Sequence, residues 1–578
     1  MAAVAWPLFS RLVKERFVYE ITNQPASSRL AELGWAVWMT VLGGVVRFVN
    51  LDGTGLSHFD EGVYVLWGAG SGYPFKEFFA PPLYPLLVRA FFEILGPSDL
   101  AAQGVSALVG TATVPLVWCV ARRWYGPVAA AITVAIAAFS GIHVAFSRMA
   151  LTDASFCFLF VLAIWLVSEV FARCRRPNLA HANTPLVSSG SVWPLAILAG
   201  IATGAAMNTK YNGVLVLVFA AAFLCLFAIV SWRGELSWRL AIAGLIAAGA
   251  TAIASYLPWF VHVQSRFGYA RLLEHHRGYG TGLASWPANL VTLLAEQRSF
   301  DRGLGWIGVA LGVAFAICLS GQPLFRVRGL LIPGMAAAGL GLELGDGAGW
   351  LFGPIVVAWL ARSRQPHVLL HFVWLSGLFV LTPLYRPYAR LLLPLVSAGW
   401  LAAGGLIASC VETSARTVAP QPFRIIPVVI LGVVAAIASL DRTRSLSARS
   451  ACELLVDAVP ANTSFATLAR PPVVFYVGSR RQLSLLDPDA GLDSFLLSAS
   501  GPSRLLLVDL ALVRDNPKLR AALDAAGDRL RERARSKYQP SRAVLLDDFG
   551  RQALRDGIES RVDETYQLVL FELIADGP

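Results

Sequence analysis

An acidic pair, Asp60-Glu61 in HFDEGVY, follows the first long apolar run of the chain. A second aspartate, Asp153 in SRMALTDAS, and a lone lysine, Lys210 in MNTKYNG, stand at the edges of later apolar runs. Ionisable groups at membrane depth are costly and mark functional sites by default. A carboxylate beside an apolar boundary loses water and becomes a better base. Asp60 therefore reads as a general base for an acceptor hydroxyl or amine, and Glu61 as its orienting partner or a metal ligand. Asp153 reads as a second carboxylate that holds a cation or orients the substrate. Lys210 reads as a point charge for a phosphate, and Arg386 and Arg390 in YRPYARLLLP offer the same chemistry. Arg148, close to Asp153, and Arg277 add positive charge to the same side. The run EHHRGYGTGLASW carries His275 and His276, one of which could join carboxylates from elsewhere around a divalent metal. Adjacent histidines point apart, so at most one would do so.

Each residue also has an ordinary explanation. Asp60 could be a loop acid or helix cap, and Asp153 a favoured residue of a helix N-terminus. Lys210 could be snorkelling to the interface, and the histidines could simply be exposed. What favours chemistry is their convergence on one side of an apolar medium. That arrangement suits a lipid phosphate, whose tail stays in the bilayer while its headgroup meets a base and a cation.

The elements that must hold these residues are membrane helices. Of 578 residues, 56% are hydrophobic and 15% charged, with a mean hydropathy of +0.59. Apolar runs of about 17–22 residues, each long enough to cross a bilayer, recur between Ala31 and Leu440. The net charge of +11 does not point to nucleic acid, because the basic residues sit between apolar runs and report topology. The seven cysteines are scattered, with no metal-ligand or disulfide-like spacing. No cleavable signal is evident, and the first apolar run reads as an anchor.

Arg11, Lys14, Arg16 and Arg29 favour a cytoplasmic N-terminus, so the first span delivers Asp60-Glu61 outside. The next stretch, PPLYPLLVRAFFEIL, is short and carries Arg89 and Glu93 four residues apart, on one helical face. Such a helix lies in the interface more comfortably than it spans. With that segment non-spanning, Arg122-Arg123, Arg173 with Arg175 and Arg176, Arg233, Arg326 with Arg328, Arg362 with Arg364, and Arg416 with Arg424 all fall inside. Asp153, Lys210, the 262–303 loop and Tyr385 to Arg390 fall outside. The count is about thirteen spans, including a hairpin around Glu343 to Gly349, with a polar inner loop from Pro177 to Ser191. After Leu440 the chain turns charged, with β-rich runs PPVVFYVG, RLLLVDLAL and YQLVLFELI and a helical stretch from Lys518 to Lys537. This reads as a small outer α/β domain. The expected architecture is a polytopic helical membrane domain over 1–440, with its first outer loop at 51–101, and an extracytoplasmic α/β domain over 441–578.

At these residues the chain resembles the membrane-embedded glycosyltransferases of the GT-C fold that use polyprenyl-phosphate sugars. They include the dolichyl-phosphate-mannose–protein mannosyltransferases and the bacterial aminoarabinose transferases of lipid A. The matching order is HFDEGVY, APPLYPLLVRAFFEILG, SRMALTD, GAAMNTKYNG, EHHRGY and YARLLLP, from roughly Trp35 to Trp400. The resemblance implies an inverting transfer from a polyprenyl-phosphate sugar to a lipid, glycan or protein acceptor. Asp60 would be its base, Asp153 its second-loop aspartate and Lys210 its donor lysine. It also implies juxtamembrane helices in the first outer loop, and an enzyme of the bacterial inner (plasma) membrane whose active site faces the cell envelope. Its partners would be membrane lipids and the lipid-linked donor, with no nucleic acid. A divalent metal ion is the one cofactor to expect. The acid nearest the Pro-Pro element is Glu77, which with either His275 or His276 would hold that metal. The alternative class is a transporter or flippase of a lipid-linked sugar. That class favours inverted repeats and broken helices with charges at the midplane, none of which is evident.

The charge pattern predicts that a cysteine placed at Ser71 labels from the outside and one at Ser189 from the inside. Labelling of both from one side would overturn the topology.

Overall fold

The computed structural model describes residues 26–73, 80–174, 192–230, 236–301, 366–412, 447–460, 463, 465–489, 491–497, 505–540, 544–545, 547 and 566–574. Glu77, the Pro177–Ser191 loop, the Glu343–Gly349 hairpin and the apolar runs within 302–365 and 413–446 lie outside these residues. So do Arg11, Lys14, Arg16, Arg175, Arg176, Arg233 and the four clustered arginines from Arg326 to Arg364, with Arg416 and Arg424. The helices used below are α1 (Ala26–Phe48), α2 (Phe59–Gly68), α3 (Leu83–Leu95), α4 (Asp99–Tyr125), α5 (Pro127–Phe139), α6 (Gly141–Ser147), α7 (Thr152–Arg173) and α8 (Val192–Met207). They continue with α9 (Leu215–Val230), α10 (Trp238–Arg266), α11 (Tyr269–Arg277), α12 (Trp286–Asp301), α13 (Pro366–Leu381) and α14 (Leu393–Glu412). Among the described residues seven helices are long and apolar enough to cross a membrane, or eight if α5 and α6 form one bent span. The shorter α8 is also apolar. The expected thirteen are not reached within the described residues.

The two ends of this bundle differ chemically. At one end Arg122 of α4 meets Glu32 of α1 at 2.5 Å, and Arg123 meets Glu169 of α7 at 2.8 Å. The opposite ends of α4 and α7 lie beside the loops that carry Asp60 and Asp153. The sequence reading placed Arg122 and Arg123 on the side away from those acids, and the ion pairs agree. The bend of 54° between α5 and α6 falls at Ser140. Carbonyls freed at such a break need donors. Buried Arg47 supplies them, donating to Ala137 and Ala138 carbonyls at 3.2 and 3.0 Å and to His143 Nδ1 at 2.8 Å.

Small residues let helices approach closely in a bilayer. A Cβ on Gly200 or Gly204 of α8 would collide with Thr251 or Ser255 of α10, at 2.5 and 2.6 Å. This contact fixes the end of α8, where Asn208 donates to the Ser255 carbonyl at 3.0 Å. Lys210 follows at once. Helix α3 has thirteen residues and is capped at both ends by turns, with Arg89 and Glu93 paired at 3.2 Å on an exposed face and Tyr84, Val88 and Phe92 buried. That amphipathic build agrees with an interfacial helix.

The C-terminal part forms a five-stranded sheet in the order β2-β1-β3-β5-β4, from β1 (Phe465–Leu468), β2 (Leu483–Leu485), β3 (Leu505–Asp509), β4 (Leu530–Lys537) and β5 (Gln567–Leu573). β1 pairs in parallel with β2 and β3, whereas β5 runs antiparallel to β3 and β4. Helices α15 (Ala448–Asp457) and α16 (Pro471–Gly478) pack on it. Two sequence readings are corrected. PPVVFYVG is not a strand but helix α16, because two prolines in its first turn cannot serve a sheet ladder yet suit a helix start. The stretch from Lys518 to Lys537 is helical only to Ala526; its second half, LRERARSK, is edge strand β4. The arginine at every second position was a strand period.

Helix α16 lies against α2, the helix that carries Asp60 and Glu61. Gly62 makes this possible, since a Cβ there would fall inside the Pro471–Pro472 backbone. Tyr73 donates to the Ala469 carbonyl at 3.1 Å, and Tyr476 donates to Asp99 at 3.0 Å. We expect Gly62→Ala to cost about 1–3 kcal/mol, the range for overpacking. It should also loosen the sheet from the bundle, read as a lower Tm and faster proteolysis of the C-terminal part.

Candidate active site

The site begins with the capping of α2. His58 is the N-cap, and its Nδ1 accepts the Asp60 amide at 3.0 Å. Glu61 turns the other way, into the protein, with 1% of its surface exposed. Its Oε2 accepts the amides of Ser57 and His58 at 3.0 and 2.8 Å, and its Oε1 accepts the Ala150 amide at 2.9 Å. The buried carboxylate thus joins the loop before α2 to the loop before α7. Tyr84 of α3 bonds Ser106, and Ser106 bonds the Leu151 carbonyl, which anchors the same loop from a third element. The Leu83 amide donates to the Asn208 carbonyl at 2.8 Å. Through these bonds the Asp60, Asp153 and Lys210 segments and the Pro-Pro element are held together.

Two ion pairs dominate the electrostatics. Lys210 Nζ lies 2.6 Å from Asp153 Oδ1, with the aspartate 1% and the lysine 23% exposed. Asp153 Oδ2 is buried without a hydrogen-bond partner among the described residues. Arg390 Nη1 lies 2.9 Å from Asp60 Oδ2. On its other side Arg390 Nε lies 3.5 Å from Asp547 Oδ2, which also accepts from His58 Nε2 at 2.9 Å. Because Nδ1 of the neutral imidazole accepts an amide, its proton sits on Nε2. Burial opposes a second proton, and Arg390 adds to that. The hydrogen bond to Asp547 and the charges of Asp60 and Asp547 outweigh both and raise the His58 pKa above its ordinary value. Tyr64 reaches the same cluster, and burial pushes its phenol well above the ordinary range. Tyr385 is pushed up to about 12, chiefly by burial.

Two cavities meet at these charges. One, of about 350 Å³, is polar and is lined by His58, Asp60, Tyr64, His275, Tyr388 and Asp547 among others. The second, of about 560 Å³, is walled mainly by apolar side chains such as Phe156, Phe160, Leu215, Leu272, Leu378 and Pro394. Lys210, Tyr211, His276, Tyr385 and Arg390 line both. An apolar cavity that opens onto a polar one across a lysine and an arginine matches the division of a lipid phosphate into tail and headgroup.

The residues singled out in the sequence divide accordingly. Asp60, Lys210, Arg390, His275 and His276 face the polar cavity. Asp153 lines neither cavity and acts on Lys210. Glu61 is turned away from both, its oxygens taken by backbone amides. Arg148 caps the end of α1, donating to the carbonyls of Val46, Arg47, Val49 and Asn50 at 2.8–3.2 Å. Arg386 is exposed and stands 5.6 Å from the Tyr388 ring, outside both cavity walls. Arg277 is exposed at the end of α11 and also lines neither. His276 gives its Nδ1 proton to the Leu272 carbonyl at 2.9 Å, whereas His275 is exposed. The loop they introduce pairs with the Tyr385 segment, through Arg386 N to the Tyr279 carbonyl and Thr281 N to the Leu384 carbonyl. Among the described residues no three His, Cys, Asp or Glu side chains come together as a metal site. Glu77 lies outside them. The described residues alone do not make up a metal site. His58 and Asp547 escaped the sequence reading. Their positions, 489 residues apart, carry no shared pattern.

Glu61→Gln keeps the shape but replaces one accepting oxygen with a donor facing amide hydrogens. An unmet buried amide costs about 1–3 kcal/mol. We expect a lower Tm by that measure and a displaced first turn of α2, seen as faster amide hydrogen exchange there and loss of whatever activity depends on Asp60.

Comparisons with known proteins fit this geometry. Residues 80–260 match the family model described as dolichyl-phosphate-mannose-protein mannosyltransferase. The structure resembles ArnT from Cupriavidus metallidurans bound to undecaprenyl phosphate, with 16% identity, 94% of this chain and 99% of that chain covered, and a TM-score of 0.57. It also resembles the Archaeoglobus fulgidus oligosaccharyltransferase in its apo form, with 13% identity, 90% and 75% coverage, and a TM-score of 0.51. The same oligosaccharyltransferase in complex with Zn and sulfate matches at 12% identity, 84% and 69% coverage, and a TM-score of 0.50. No curated protein matches in sequence. The chain thus shares the fold of ArnT and of the Archaeoglobus fulgidus oligosaccharyltransferase.

Proposed function

We propose that the protein is an inverting glycosyltransferase that moves a sugar from a polyprenyl-phosphate donor to an acceptor at the outer face of the membrane. The observation that carries this reading is the junction of the apolar and polar cavities at Lys210 and Arg390. The prenyl tail occupies the apolar cavity, and the phosphate sits between the two cations. The acceptor oxygen or nitrogen bonds to the anomeric carbon on the face opposite the phosphate. The carbon–oxygen bond to phosphate breaks and leaves its electron pair on the departing oxygen. The acceptor's proton passes to Asp60, whose carboxylate Arg390 holds in place. Polyprenyl phosphate is a good leaving group, so no separate acid is required, and the cations stabilise its developing charge. Asp153 serves as a positioning residue that fixes Lys210. The outward orientation rests on the charge pattern of the loops, and the bacterial inner membrane is the compartment that the resemblance implies. Release of polyprenyl phosphate by purified protein from a panel of polyprenyl-phosphate sugars tests the reaction directly.

Asp60→Asn keeps the side-chain shape but takes no proton. A general base contributes about 10²–10⁴-fold, so transfer at saturating donor should fall by that range; a rate within about threefold of wild type, well short of it, sinks Asp60 as the base. Lys210→Ala should weaken donor binding. It also strands the buried Asp153 charge, and breaking one side of such a pair costs about 3–5 kcal/mol. The double variant Asp153→Asn with Lys210→Ala removes that cost. Its Tm should recover while its donor affinity stays low, and a recovery of both would reduce Lys210 to a structural residue.

A further inference from the structure

We propose that Asp547, which the C-terminal α/β domain contributes, is a positioning residue of the transfer site: together with Asp60 it clamps the Arg390 guanidinium from two sides. The inference rests on the glycosyltransferase reading above and extends it to a residue far outside the bundle.

The geometry is a closed chain of contacts. Asp60 holds Arg390 through Nη1 at 2.9 Å, and Asp547 faces Nε of the same group at 3.5 Å. The Tyr388 ring covers it, with 5.2 Å between the guanidinium carbon and the ring centroid. A planar guanidinium held by two carboxylates and one ring face has its orientation set, which a single partner leaves free. Arg390 is only 16% exposed and lines both cavities, so its orientation decides where the positive charge meets the phosphate. Asp547 is 6% exposed. A carboxylate buried to that degree needs its bonds returned, and both come from the site: Arg390, and His58 Nε2 at 2.9 Å. Through the His58 ring the same carboxylate also supports the cap on the Asp60 amide. Asp547 thus acts on the base and on the phosphate-facing cation at once, without lying on the path of the proton. It follows that the C-terminal domain must be docked on α2 for the site to be complete.

The test is a double-mutant cycle on the full chain: Asp547→Ala, Arg390→Ala and both together. Two readouts are used, binding of decaprenyl phosphate in detergent micelles and steady-state transfer from a donor that wild type accepts. Directly coupled residues show interaction terms that correspond to about 2–150-fold. Asp547→Ala should therefore weaken decaprenyl phosphate binding and raise donor KM by at least about threefold, and should change neither of these further in the Arg390→Ala background. Asp547→Asn keeps an acceptor for His58 but not the charge toward Arg390, and should show the same donor defect with a wild-type Tm. It serves as the reporter if the alanine variant does not fold. A folded Asp547→Asn enzyme with unchanged binding and KM overturns the clamp, as do independent losses that multiply in the double variant. Wild type that binds decaprenyl phosphate with the predicted coupling yet transfers no sugar removes the proposed function and leaves the clamp. Wild type that neither binds nor transfers overturns both.

Discussion

A carboxylate moved out of water must recover its lost hydrogen bonds from the protein, or it will not stay charged. Glu61 recovers three, all from backbone amides and from two different loops. Much of the site depends on this one group. The Ser57 and His58 amides begin α2, and the Ala150 amide precedes α7. A single buried side chain therefore sets the distance between the Asp60 turn and the Asp153 turn. Side-chain partners could rotate away, whereas backbone amides beside a helix start are held by the chain on either side of them. Asp60, one residue earlier and about 100° around the helix, is left pointing into the cavity.

The charges in the site balance locally. Asp153 has Lys210, and Asp60 and Asp547 share Arg390 and His58. In a partly dry environment an unpaired charge would shift its protonation and neutralise itself. The guanidinium that balances Asp60 also stands on the wall of both cavities. A phosphate arriving beside Arg390 and Lys210 would draw on the same two cations. The two cations that balance the acids are thus the same two that stand between the cavities.

Much of this was legible in the chain because ionisable residues at the edges of apolar runs have few roles. Asp60, Asp153, Lys210 and Arg390 stood out for that reason; the structure sets Asp60, Lys210 and Arg390 on the walls of two adjoining cavities, with Asp153 paired to Lys210 behind them. The interfacial nature of α3 was legible from its length and from Arg89 and Glu93. What the sequence hid has physical causes. Adjacent acids such as Asp60 and Glu61 look alike until the helix turns one inward. Arg148 sits at the same edge as Asp153, but the unsatisfied carbonyls at the end of α1 claim its guanidinium. Asp547 lies in a charged stretch with no hydropathy signal, and only docking of a separate domain brings it to His58. PPVVFYVG has strand-forming residues, yet its two prolines decide for helix; LRERARSK has helix-forming residues, yet its alternation decides for strand. In both cases position outweighed composition.

The docking itself follows from a missing side chain. The backbone of α16 reaches α2 only because Gly62 has no Cβ, and that approach sets Tyr476 on Asp99 and Asp547 beside His58. The bundle supplies the apolar cavity and one cation from each of two loops, but it leaves Arg390 with one carboxylate and α2 with one open face. The sheet domain closes that face and adds the second carboxylate. A site built this way has its apolar cavity inside the bundle and its polar cavity shared between the two parts.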